Sequence, residues 1–98
     1  MEISVESTFN IPESVAWRNV NEEIVILKLK SGEYYTLNEV GQHIWQAISD
    51  QQNVQGILNQ IVEQFDVTYE KAKEDVMTFL DNMLKESIVL LNENVSSQ

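Results

Sequence analysis

Near residue 38 the spacing of apolar residues changes from alternation to helical periodicity. Upstream, Ile3 and Val5 alternate with polar residues, and Phe9 and Ile11 follow in step. This suits a loose edge strand or an arm laid on the body. Pro12 argues against a central strand there, because proline cannot donate to a ladder. Val15–Val20 is rich in large and β-branched side chains and predicts a strand. Asn21-Glu22 is a short polar connection to a second, stronger strand from Glu23 to Lys30. There Ile24, Val25, Ile26, Leu27 and Leu29 make one face apolar and the other partly so. Gly32 marks a turn, and residues 33–37 form a short third strand.

Two registers are open for this last hairpin. A two-residue loop at Ser31-Gly32 sets Leu29 opposite Tyr34. A three-residue loop ending on a left-handed Gly32 sets Leu29 opposite Glu33 and Leu27 opposite Tyr35. The second is preferred. It gathers Val25, Leu27, Leu29, Tyr35 and Leu37 on one face and leaves Ile26, Lys28, Tyr34 and Thr36 on the other. Sequential strands usually pair, so the expected sheet is a meander with residues 33–37 at one edge. Such an edge is a row of unpaired backbone donors and acceptors, open to an added strand.

Downstream, Asn38 is placed to cap a helix, with Glu39 in its first turn. Gly41, Ile44, Trp45 and Ile48 lie on one helical face. After the polar break at residues 49–52, Val54, Ile57, Leu58, Ile61, Val62 and Phe65 mark a second amphipathic helix. Thr68 is the expected cap of a third and longest helix, about residues 69–86. Its first stripe is Tyr69, Ala72, Val76, Phe79 and Met83, and a second stripe is Lys73, Met77, Leu80 and Leu84. An apolar arc this wide fits a central helix touching several neighbours. It also fits a helix that walls a groove with Met77 and Leu80. Ile88–Leu91 reads as a returning strand or an apolar tail, and residues 92–98 as frayed. The fold class expected is therefore α+β: a three-stranded antiparallel sheet followed by three helices in one domain over residues 1–98. Its N-terminal arm spans about residues 1–12 and its tail about 92–98.

Charge narrows the list of partners. Sixteen acidic against six basic residues give a net charge of −10, and the basic residues form no run. Such a field repels phosphate and anionic lipid, so nucleic acid and membrane are not expected partners. No apolar run approaches the roughly 20 residues of a membrane span. The start at Met1–Glu6 lacks a basic, then apolar, signal pattern. With no cysteine, there is neither a disulfide frame nor a thiolate site. The expected location is cytoplasmic.

Little in the chain points to catalysis. His43 is the only histidine and has no second ligand at metal-binding spacing, so neither a metal nor a cofactor is expected. The adjacent acids Glu22-Glu23 and Glu74-Asp75 do not face one another on a strand or helix. Gly32 and Gly41 are isolated, and no base stands ready to activate a hydroxyl. The chain reads as a binder and not an enzyme.

One stretch carries more. A strand ending in a turn glycine, then Tyr34-Tyr35-Thr36-Leu37-Asn38-Glu39-Val40-Gly41 and Ile44-Trp45, resembles the PqqD family. The later Val54–Ile57, Phe65-Asp66-Val67 and Asp75–Leu80 fit the same pattern, so the resemblance covers about residues 10–91. It implies a winged-helix-like domain that recognises the leader segment of a ribosomally made precursor peptide. The leader is held as an extra strand on the third strand, in a groove closed by the third helix, and is presented to a modifying enzyme or leader peptidase. On this resemblance the peptide-binding residues are Glu33, Tyr34, Tyr35, Thr36 and Leu37 from the strand, with Lys73, Val76, Met77 and Leu80 from the helix. Lys73 would meet an acidic leader residue, and Met77→Glu or Leu80→Glu should weaken binding while the fold survives. A stand-alone chain of this kind fits lasso peptide biosynthesis best. The alternatives are a peptide chaperone of pyrroloquinoline quinone synthesis, a bridging subunit and, with less support, a winged-helix DNA-binding protein. The free edge also allows a homodimer. The family often has glycine near the end of the third helix, where this chain has Ser87.

Overall fold

The structure, a computed structural model, describes residues 3–92. In chain order it contains β1 (Phe9–Asn10), β2 (Val15–Val20), β3 (Glu23–Lys28), β4 (Tyr34–Thr36), α1 (Glu39–Ser49), α2 (Val54–Gln64), α3 (Tyr69–Lys85) and β5 (Leu90–Leu91). The main sheet is antiparallel, in the order β2-β3-β4, and the three helices follow it as expected. Among the described residues no helix is long and apolar enough to cross a membrane.

The β2–β3 turn holds Asn21 and Glu22 at φ 53° and 68°, the left-handed pair that matches the twist of a two-residue hairpin. This fixes Val20 opposite Glu23 and Trp17 opposite Ile26. The β3–β4 connection differs from both expected registers. Four residues, Leu29–Gly32, make the loop: the Lys28 amide donates to the Glu33 carbonyl (2.9 Å), and the Gly32 amide donates back to the Lys28 carbonyl (2.8 Å). Gly32 is left-handed as expected, at φ 77°. Tyr35 therefore lies opposite Ile26, Tyr34 opposite Leu27 and Thr36 opposite Val25. Ile24, Ile26 and Lys28 share the helix-facing side with Tyr35 and Leu37, while Val25 and Leu27 face outward with Tyr34 and Thr36. Residues 24–27 are apolar on both faces, so alternation alone cannot choose between them. The choice follows burial: Ile24 and Ile26 lie in the core, whereas Leu29 is left exposed in the loop.

Each helix is capped by a side chain, at Asn38 and Thr68 as expected and at Asn53 for the second helix. Asn38 accepts from the Gly41 amide, Asn53 from Gly56 and Thr68 from Lys71. Trp45, Ile48, Ile57, Leu58, Ile61, Val76 and Leu80 meet Ile26 and Phe9 in one core. Trp17 packs edge-on against Trp45, with ring centroids 5.8 Å apart. The arm is tied down. β1 pairs with β5, so Phe9 and Leu91 are opposed, and the carbonyls of Val5 and Ser7 accept from the amides of Gln55 and Val54 at the start of α2. Asn92, expected to fray, donates from its backbone and side chain to Thr8. Residues 93–98 of the expected tail lie outside the described residues.

α3 ends in a Schellman closure. The Ile88 amide donates to the Met83 carbonyl (2.9 Å), and the Ser87 amide to the Leu84 carbonyl (3.0 Å). Ser87 adopts φ 59° there, the left-handed position that glycine fills most readily. The closure delivers Ile88 and Val89, both fully buried, into the core.

Candidate peptide-binding groove

Among the described residues, β4 has β3 on one side and no strand on the other. In an antiparallel ladder, alternate residues aim their backbone groups at the partner. The bond from the Lys28 amide to the Glu33 carbonyl sets the phase: the Glu33 carbonyl and, two residues on, Tyr35 aim at β3. Tyr34 and Thr36 then present their N–H and C=O groups outward, which gives four free groups along the edge.

Side chains bridge this strand to α3. The Tyr35 hydroxyl donates to the Glu86 carboxylate at 3.2 Å. Lys28 Nζ lies 3.7 Å from both Glu33 and Glu86. These exposed contacts are each worth at most about 1 kcal/mol. Their consequence is positional, because they set the C-terminal end of α3 beside the start of β4. Desolvation raises the Tyr35 hydroxyl pKa above its ordinary value, and the carboxylates of Glu33 and Glu86 push it in the same direction.

Further along, the strand leads into α1, and α3 stays alongside. Gly41 makes the close approach. A Cβ there would lie 3.2 Å from Phe79 Cε2 and 3.3 Å from Leu37 Cβ, so a larger residue would need these neighbours to give by a few tenths of an ångström, and glycine lets the Phe79 ring approach the start of α1 closely. Between α1 and α3 runs a cleft of about 460 Å³. Asn38, Val40 and Gly41 line one side, and Asp75, Thr78, Phe79 and Asn82 line the other. Lys71 reaches the cleft but is engaged by Asp75 at 3.3 Å.

The structure divides the nine residues named from sequence. Glu33, Tyr34, Tyr35, Thr36 and Leu37 all lie on or beside the free strand, with Tyr34 70% exposed. Val76 and Leu80 are completely buried in the core, so they cannot touch a peptide, and a glutamate at Leu80 would act on folding first. Lys73 and Met77 occupy the other flank of α3. At 100° per residue, Met77 lies about 160° around the helix from Phe79, and neither it nor Lys73 lines the cleft. The wall facing β4 and α1 is instead the i, i+4, i+7, i+11 row of Asp75, Phe79, Asn82 and Glu86. Sequence reasoning missed this row because it is mostly polar, and because Phe79 also fits the core stripe. The available signal was Gly41, a helical glycine that a bulky neighbour must explain. Among the described residues, no group of three His, Asp or Glu side chains is placed to hold a metal ion.

Two solved structures share this fold. One is TbiB1 in complex with the TbiA(beta) leader peptide, with TM-score 0.77 and 24% identity over 82% of this chain and 93% of that one. The other is a lasso peptide synthetase B1 complexed with its leader peptide, with TM-score 0.78 and 20% identity over 84% and 96%. No curated protein matches the chain in sequence. The family model described as coenzyme PQQ synthesis protein D matches residues 23–89, which run from β3 through the end of α3 and include every wall of the groove. With that match over more than half its length, the chain belongs to the PqqD family.

Proposed function

We propose that the protein captures the leader segment of a ribosomally made precursor peptide by adding it as a strand to β4, and that the pathway is lasso peptide biosynthesis. The observation that carries this reading is the free edge at Tyr34 and Thr36, set beside a groove that α3 closes. The lasso assignment is supported by the likeness to two B1 proteins, each solved with a leader peptide. The protein hands the leader to a separate enzyme, a leader peptidase, in the cytoplasm and takes no part in the chemistry itself. The family model's own description favours a second reading, a peptide chaperone in pyrroloquinoline quinone synthesis.

The energetics set what the groove must supply. Four backbone hydrogen bonds contribute roughly 2–6 kcal/mol net. A micromolar complex needs about 8 kcal/mol after a flexible peptide has been ordered. Strand pairing alone falls short, and one or two apolar anchors at about 1.5–3 kcal/mol each close the gap. Tyr35, Leu37 and Phe79, all half-buried, offer that surface.

The test is fluorescence anisotropy with labelled leader peptides from the precursor genes beside this one, lasso and quinone types alike. Wild type should bind one leader at micromolar or better. Thr36→Pro removes an outward N–H without costing a β3–β4 bond, so it should weaken binding at least about tenfold with an unchanged circular dichroism spectrum. Equal binding by wild type and Thr36→Pro would refute strand addition.

A further inference from the structure

Strand addition has a consequence on the face of the sheet turned away from the helices. Successive side chains of a strand point to opposite faces, so only half of those on an added segment can enter the groove beside α3. The other half must join Tyr34 and Thr36 on the outer face. That face is open, with Ala16, Arg18, Val20, Tyr34 and Thr36 all exposed. It is also shaped. The register sets two rows across it, Ala16–Leu27–Tyr34 and Arg18–Val25–Thr36. A dish of about 410 Å³ lies there, with Val25 and Leu27 as its floor, Tyr34 on the β4 side, and Ala16 and Arg18 on the β2 side. Tyr34 stands high at the free edge, while Thr36, ending the next row, is short and leaves a way in over it. Among the described residues Arg18 pairs with no carboxylate, in a chain with sixteen acidic residues against six basic. An apolar floor between a phenol ring and an unpaired guanidinium complements an aromatic ring, which gains from both.

We propose that this dish takes an aromatic side chain of the bound leader, carried by the residue alongside Thr36. Its ring lies over Thr36 onto Val25 and Leu27, flanked by Tyr34 and met by Arg18 from the far side. A strand spacing of about 5 Å places that residue close enough for its ring to reach across Thr36. The proposal rests on the leader-capture reading and adds to it a specificity-determining position on the face opposite the groove.

The experiment is a set of double-mutant cycles read by fluorescence anisotropy. The probe is the labelled leader peptide that wild type binds, together with variants in which each residue of its strand-forming part is changed singly to Ser. The protein forms are wild type, Tyr34→Ser, Arg18→Ser and Thr36→Pro. Tyr34 and Arg18 are exposed, so both serine variants should keep the fold, and each tests the dish without the other. Each should weaken binding of the native leader about three- to tenfold. Against one peptide variant, the one that has lost its outward aromatic residue, each should weaken binding less than about twofold. The residues before and after it in the leader point into the groove, so their serine variants should leave the Tyr34 and Arg18 effects at full size. Equal losses against every peptide, or coupling to a residue that is not aromatic, would overturn the subsite. Native leader binding that is weakened in Thr36→Pro but unchanged in both serine variants would overturn it too, and leave leader capture standing. A wild-type dimer in sedimentation that Tyr34→Ser turns into a monomer would give the dish to a second copy and overturn the proposal. A wild-type protein that binds no leader would overturn both readings.

Discussion

The two flanks of α3 differ in composition and in what they face. One carries Lys73, Met77 and Leu84, and its apolar side chains pack onto the body of the protein. The other carries Asp75, Thr78, Phe79 and Asn82, and faces the cleft that continues β4. Judged by hydrophobicity alone the first looks like a binding wall, yet it is the second that borders the open edge. An apolar flank on a central helix is explained by its neighbours in the core. A mixed flank, with one aromatic among short polar residues, leaves a surface that is open and still offers an anchor. The lesson concerns where side chains point relative to an unpaired backbone, which hydrophobic periodicity does not report.

The comparison breaks most sharply at the core stripe between the flanks. Leu80→Glu buries an unpaired charge where Leu80 is fully enclosed, and should cost more than about 4 kcal/mol. Loss of the cooperative thermal transition is the expected outcome. A folded Leu80→Glu protein would place Leu80 on the surface and invert the assignment of flanks. Next come paired substitutions on the flanks themselves. Thr78→Arg fills the cleft from an exposed position, so it should weaken leader binding at least about tenfold, with stability within about 0.5 kcal/mol of wild type. Lys73→Glu, on the other flank, should change neither quantity. The pair is read by anisotropy and thermal melts side by side.

A smaller effect tests how the end of α3 is held. Ser87 sits at φ 59°, so Ser87→Gly should stabilise the fold by about 1 kcal/mol, a rise in Tm of several degrees. Leader binding should stay the same, because the closure already has the geometry of a glycine. The smallest effect is that of pH. The Tyr35 pKa is raised in the folded state, so its contribution is complete below the unfolded value of about 10 and is lost as pH rises through the folded value. Urea melts at increasing pH should therefore show wild type losing stability above about pH 10 more steeply than Tyr35→Phe.

Most of the architecture was legible because it follows from local rules. Asn38 and Thr68 mark their helix starts, the period changes near residue 38, and Gly32 takes the left-handed turn position. The β3–β4 register was not legible, because Ile24–Leu27 is apolar at every position and any register buries something. The strand half of the site could be read from the edge position of residues 33–37. The helix half could not, since Val76, Phe79 and Leu80 all fit one wide arc. The contacts of Glu86 with Tyr35 and Lys28 and the close approach of Phe79 to Gly41 show which side of that arc turns toward the edge. The tie between β1 and β5 was equally hidden, being a pairing of two residues from each end of the described chain.

The central claim is that a leader pairs with the outward backbone groups of β4, and amide hydrogen exchange resolved by residue tests it most directly. With saturating leader peptide, the amides of Tyr34 and Thr36 should change from fast-exchanging to strongly protected, while that of Tyr35, already turned toward β3, changes far less. Fast exchange at Tyr34 and Thr36 in a complex that is bound by anisotropy would contradict strand addition and place the peptide elsewhere on the protein.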